Sequence, residues 1–313
     1  MPILPNNKIL AAPLAGVSDT VYCRWALRYG AGLVFTGMVC AEGIRRRSKK
    51  TVELLKFPED VRPIGAQLFD NDPDAIREAA PFVEQMGFDL IDINLGCPAK
   101  KVIRKGAGAC LMKSPSKAAG IVRAAVESVS IPVSAKIRTG WDSSDTFQEL
   151  IYRLADVGVA FLTIHPRSRK QGFSGIADLD KIAEAVELSP FPVVGNGDIR
   201  SGEDARRMIS KTGCAAVMVG RGSFGNPWIF EEISAALEGR PIPPPPDRKA
   251  RLDGCAEFIR DLVEFYGEKK AGEIGRKHVG WFTKGMSDGK RVRILAFGCE
   301  TASEIIRVLE KER

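Results

Sequence analysis

With 313 residues, 44% of them hydrophobic and 27% charged, the chain can bury one large core and a smaller one, and general disorder is excluded. No run reaches the roughly 18 consecutive apolar residues of a membrane span, and residues 1–8 have no signal-peptide apolar region, so a cytoplasmic protein is expected. Seven scattered cysteines and two histidines argue for reduced thiols and against a disulfide framework or a metal centre; the net charge of +7 permits an acidic partner without naming one.

Apolar, β-branched runs recur along the chain at 9–13, 33–36, 64–68, 90–94, 133–137, 161–165, 193–196 and 216–220, which predicts eight strands. Amphipathic segments separate them. Asp72-Pro73, Ser114-Pro115 and Asn226-Pro227 each place a capping side chain before a proline suited to the first helical position, and Ser201 with Asp204 resembles a capping box. Strands alternating with helices imply a parallel sheet, and eight units within residues 1–239 favour a closed (β/α)8 barrel over an open doubly wound sheet. Residues 240–247, rich in proline, read as an extended linker. Beyond them Leu252, Cys255, Ile259, Leu262 and Tyr266 recur at helical spacing and Thr301 with Glu304 forms a second capping box, so 248–313 is expected to be a small helical domain.

Chemistry in parallel barrels collects where strands end. Here the ends carry Pro13-Leu14-Ala15, Gln67, Asn94 with Cys97, Lys136 with Arg138, His165 with Arg167, Asn196-Gly197-Asp198 and Gly220-Arg221. Each could be an ordinary loop residue. A lysine, a histidine, a glutamine and a cysteine converging on one mouth point instead to a shared site. The glycines after strands seven and eight leave backbone N–H groups unhindered at the usual phosphate position of such barrels, and no dinucleotide fingerprint follows any strand.

After strand four, Gly96-Cys97-Pro98 is followed by Lys100, Lys101, Arg104 and Lys105, a thiol beside four cations. Alone, the motif also fits a surface turn with a small buried cysteine. Cys110, between Ala109 and Leu111, reads as a packing residue. Further basic residues follow strand two (Arg45, Arg46, Arg47, Lys49, Lys50) and strand six (Arg167, Arg169, Lys170), and the tail adds Arg276-Lys277-His278 with Lys290, Arg291 and Arg293, a surface suited to tracking phosphates.

These residues resemble the tRNA-dihydrouridine synthases, flavin enzymes that reduce uridines in tRNA, and most closely the bacterial B-type subgroup. The resemblance runs nearly end to end. It is carried by Ala12-Pro-Leu-Ala-Gly-Val-Ser-Asp19, Gln67-Leu-Phe69, Asp92-Ile-Asn-Leu-Gly-Cys-Pro-Ala-Lys-Lys-Val102, Lys136-Ile-Arg-Thr-Gly-Trp141, Asn196-Gly-Asp198, Gly220-Arg-Gly222 and Asn226-Pro-Trp-Ile-Phe230. It implies FMN held by Pro13, Leu14, Ala15, Gln67, Lys136 and His165, with its phosphate on Asn196, Gly197, Asp198, Gly220 and Arg221. Cys97 becomes the proton donor to uracil C5, complementing hydride transfer from reduced flavin N5 to C6, with NADPH as reductant. The tRNA would meet Asn94, Lys100, Lys101, Arg104, Arg138, Arg167, Arg276, Lys277 and His278. A monomer is expected, with no metal and no membrane contact.

Three positions depart from the family pattern. Leu14 replaces the usual Met, a change that conserves volume. Gly37 stands where a glutamate is expected, removing a carboxylate near the site, and Pro166 stiffens the loop after His165. The residues leave two other readings open: an FMN-dependent dehydrogenase of a free pyrimidine, of the dihydroorotate or dihydropyrimidine type, and a non-catalytic RNA-binding barrel.

Overall fold

The computed structural model describes residues 4–142 and 146–313. Nine strand segments form one parallel sheet: β1 (Ile9–Ala11), β2 (Val34–Phe35), β3 (Val39–Cys40), β4 (Ile64–Phe69), β5 (Leu90–Asn94), β6 (Val133–Arg138), β7 (Leu162–His165), β8 (Val193–Asn196) and β9 (Ala216–Val219). Neighbours follow chain order, β1 pairs with β9, and a parallel bridge from Leu10 to Leu33 joins the ends, so the sheet closes into the expected (β/α)8 barrel. All eight anticipated runs are strands. The second is shorter than expected, because Gly37 and Met38 interrupt it; the chain resumes as β3, which also pairs with β4.

The helices of the barrel are α1 (Thr20–Arg28), α2 (Ala41–Arg45), α3 (Lys49–Glu53), α4 (Pro73–Gln85), α5 (Lys100–Ile103), α6 (Pro115–Val126), α7 (Thr146–Ala155), α8 (Leu179–Leu188), α9 (Gly202–Thr212) and α10 (Ile229–Leu237). Residues 240–247 belong to no helix or strand, and α11 (Arg248–Tyr266), α12 (Glu268–Phe282), α13 (Gly289–Phe297) and α14 (Ala302–Lys311) follow. No helix among the described residues is long and apolar enough to cross a membrane.

Capping chemistry sets several helix starts. Asp72 accepts the Asp74 N–H ahead of Pro73, and Thr301 and Glu304 form a complete reciprocal box. Ser201 accepts from Asp204 N–H at 3.1 Å, but the Asp204 carboxylate accepts the N–H of Arg200 and not that of Ser201, so the box is incomplete. Ser114 starts α6 without a side-chain cap bond. The Asn226-Pro227 signal misplaces α10, which begins at Ile229; the residues before it make a turn.

Side chains alternate along each strand. Leu10, Phe35, Leu90, Phe161, Val194 and Ala216 belong to an apolar cluster that plugs the barrel beneath the polar residues of the mouth. A second, larger core runs between sheet and helices and continues into the C-terminal layer. There Trp25 packs edge-on against Phe258, ring centroids 5.2 Å apart, and donates its indole N–H to Asp261 at 2.6 Å. The barrel and the terminal helices therefore share one core.

Candidate active site

The C-terminal ends of the strands surround a cavity of about 210 Å3. Pro13, Leu14 and Ala15 line it beyond β1, Gln67 lies on β4, Asn94 on β5 with Cys97 just after, and Lys136 and Arg138 on β6. His165, Asn196, Gly197, Asp198, Gly220 and Arg221 complete the wall from β7 to β9. The structure thus brings into one pocket every residue expected at the cofactor, together with the thiol.

A buried carboxylate sets the direction of the groups above it. Asp92 accepts from Ser134 Oγ at 2.6 Å and from Gln67 Nε2 at 2.7 Å. With its amide nitrogen so engaged, Gln67 presents Oε1 to Asn94 Nδ2 at 2.8 Å. Asn94 is then left with Oδ1, which accepts the N–H groups of Gly96 (3.2 Å) and Cys97 (2.9 Å). One charge deep in β5 fixes two amide orientations and, through them, the loop that carries the thiol. The return of that loop is equally constrained. Gly108 has φ 59°, and a Cβ there would sit 2.8 Å from the Cys97 carbonyl oxygen.

Cys97 is half-buried, and burial pushes its thiol pKa up, partly offset by the Ala99 N–H and the charge of Arg138. The group is therefore a neutral thiol at pH 7. Lys136 donates to Asn196 Oδ1 at 2.7 Å, whose Nδ2 is anchored on the Met218 carbonyl at 2.8 Å. Burial pushes Lys136 down and Asp92 up, and the attraction between them opposes both shifts. His165 is driven down to about 2 by burial and by Lys136, Arg138, Arg167 and Arg221, so it is neutral. Its Nε2 lies 3.2 Å from Arg167 Nη1; a guanidinium can only donate, so Nε2 accepts and Nδ1 carries the hydrogen.

Two buried arginines hold the wall. Arg138 donates to the carbonyls of Gly96 (2.9 Å), Ser168 (3.1 Å) and Gly172 (2.8 Å), tying the thiol loop to the loop after β7. Arg167, only 1% exposed, pairs with Asp198 at 2.5 Å and donates to the carbonyls of Ser174 and Gly175.

The residues expected to meet RNA are divided by the structure. Asn94 and Arg138 face the pocket, and Lys100, Lys101 and Arg104 are exposed on and after α5. Arg167 is spent inside the wall. His278 is 2% exposed and stacks on Phe258 with centroids 4.3 Å apart, while Arg276 donates to the Cys299 carbonyl and Lys277 to the Gly16 carbonyl. The basic triplet is thus engaged within the protein, Arg276 with the segment between α13 and α14, Lys277 with the loop after β1 and His278 with α11. Arg45, placed on the basic surface by sequence, is matched by Glu42, Asp72 and Glu78.

Asp92 and Ser134 were not among the expected site residues, although a carboxylate at an inward position of an apolar strand is a signal of that kind. Met38, Phe173 and Arg200 also line the pocket. Loop residues such as Phe173 carry no periodicity to place them.

The chain is thus a closed parallel (β/α)8 barrel with a thiol, a lysine, a neutral histidine and glycine turns gathered at one mouth, the arrangement of a barrel enzyme. Residues 9–312 match the family model described as dihydrouridine synthase. The chain belongs to the dihydrouridine synthase family. It is 39% identical over 295 residues to tRNA-dihydrouridine synthase B of Pseudomonas aeruginosa, covering 93% of this chain and 87% of that protein. Identity to tRNA-dihydrouridine synthase B of Pasteurella multocida is 37% over 282 residues, covering 90% and 85%. Among solved structures, the old yellow enzyme homologue of Zymomonas mobilis superposes with a TM-score of 0.54 at 16% identity, over 75% of this chain and 90% of that one. Histamine dehydrogenase from Rhizobium sp. 4-9 gives 0.58 at 14%, over 82% and 48%. These two likenesses concern the fold.

Proposed function

We propose that this oxidoreductase reduces specific uridines of tRNA to 5,6-dihydrouridine with FMN as cofactor and NADPH as reductant. The observation that carries the reading is Cys97: a thiol kept protonated by burial and held on Asn94 at the lip of a pocket lined by Lys136 and His165.

The residues fit FMN. Gly197 has φ 138°, and a Cβ there would meet His165 Cδ2 and Ala177 Cβ at 3.1 Å, so the turn needs a glycine to bring its backbone to the pocket. Among the described residues the N–H groups of Gly197 and Asp198 have no protein acceptor, and Arg221 stands beside them, a donor set suited to a phosphate. Pro13, Leu14 and Ala15 offer an apolar wall to a planar ring, and Lys136 retains donor hydrogens beyond the one given to Asn196.

When bound, reduced flavin supplies the hydride for uracil C6. Cys97 gives the proton to C5, and the Ala99 N–H and Arg138 stabilise the thiolate left behind. Arg138 spends Nε and Nη1 on backbone carbonyls and keeps Nη2 for a uracil carbonyl oxygen. The base leaves its stack to enter the mouth.

The test is to reduce the flavin anaerobically with NADPH and follow its absorbance on adding unmodified tRNA transcript, with free uracil and orotate as controls. Reoxidation by tRNA alone is expected. Reoxidation by a free base would move the enzyme to pyrimidine metabolism, and absence of flavin from the purified protein would leave an RNA-binding barrel.

A further inference from the structure

We propose that Lys113 and Arg169, both seated over the indole of Trp141, form a clamp for RNA backbone phosphate outside the pocket. The proposal rests on tRNA being the substrate. Lys113 Nζ lies 4.0 Å and Arg169 Cζ 4.3 Å from the centroid of the same ring. The three residues come from different loops. Lys113 ends the turn of 3-10 helix (Gly108–Lys113) that follows the thiol loop, Trp141 follows β6 and Arg169 follows β7, so the cluster stands on the barrel face that holds the pocket.

The arrangement is fixed before any ligand arrives. Arg169 N–H donates to the Gly140 carbonyl at 2.9 Å and Lys170 N–H to the Trp141 carbonyl at 3.0 Å, locking the two loops together. The distances to the ring put the two charges no more than about 8 Å apart, comparable to one Debye length at physiological salt. They repel, and the ring quadrupole offsets only part of that.

Several basic side chains elsewhere on the surface are matched by carboxylates, among them Arg206 by Glu203, Lys211 by Asp180, Arg248 by Asp288 and Arg260 by Glu310. Among the described residues Lys113, Arg169 and Lys170 have no carboxylate within ion-pair distance. A solvated face with no ligand gains from a nearby Asp or Glu; a face that meets a polyanion loses by one. The planar fork of Arg169 suits a phosphate, and the exposed Lys170 extends the positive edge. RNA is favoured over an acidic protein because the cluster borders the mouth into which a nucleotide must descend.

The experiment is titration of the flavin-loaded enzyme with unmodified tRNA transcript over a series of salt concentrations, comparing wild type, K113Q/R169Q and the charge-keeping K113R/R169K. The Gln pair is expected to bind tRNA more weakly and to flatten the slope of log K against log salt by about 1 to 2, while the charge-keeping pair stays near wild type. Parallel salt dependences for wild type and the Gln pair would overturn the clamp while leaving the substrate reading intact, provided wild type still turns over tRNA. Failure of wild type to bind tRNA at all would overturn both.

Discussion

The side-chain oxygen of Asn94 accepts the N–H of Cys97 at 2.9 Å, and that oxygen is available only because Gln67 has already taken the amide nitrogen of the same residue at 2.8 Å. The position of the thiol is therefore decided two residues deeper, at Asp92, which is fully buried and holds Gln67 at 2.7 Å.

Asn94→Ala should release the thiol loop while leaving the barrel folded. Because misplacing a reacting group by about 1 Å costs on the order of 10²-fold in rate, single-turnover reduction of tRNA uridine should slow by about that factor. Flavin content and reduction by NADPH should change far less. Stopped-flow absorbance separates the two half-reactions.

The pH dependence follows from the raised thiol. As the proposed proton donor, Cys97 would act only while protonated, so its contribution should persist through neutral pH and be lost above the ordinary thiol value of about 8.5. Lys136, whose pKa is lowered, also titrates on the alkaline side. The residual activity of Cys97→Ala distinguishes them: an alkaline limb present in wild type and missing in the variant belongs to Cys97.

Among the described residues His278 is buried without a partner for Nε2, and its pKa is pushed down to about 3. Unfolded, it takes a proton near 6.5. Between these values the unfolded state holds one more proton, so stability rises with pH across this window and is lost as pH falls from about 6.5 toward 3. His278→Phe, which keeps the stack on Phe258, should lower the slope of unfolding free energy against pH by up to one proton in that interval. Urea melts at several pH values measure it.

Gly37→Ala should be tolerated. Its φ is not left-handed, and a Cβ would meet Leu14 O at 3.6 Å, an ordinary contact. Restricting the unfolded chain should then stabilise the fold by about 0.4–1 kcal/mol, read as a shift in denaturant midpoint.

Strand positions, barrel class and the set of pocket residues were legible in the sequence because β-branched runs, proline-led helix starts and polar strand ends are local signals. The interruption of the second strand was hidden in Gly37-Met38, where two short segments share one place in the sheet. Arg167 and His278 read as surface charge because nothing in a linear pattern tells a guanidinium facing Asp198, or an imidazole stacked on Phe258, from one facing solvent. The clamp around Trp141 joins three segments, and only the barrel brings them together.

The most direct test of the account is single-turnover reoxidation of the NADPH-reduced enzyme by unmodified tRNA, wild type against Cys97→Ala. The account requires reoxidation to slow by roughly 10²–10⁴-fold in the variant, with reduction by NADPH preserved. Equal rates of reoxidation in the two proteins would contradict the assignment of Cys97 as proton donor.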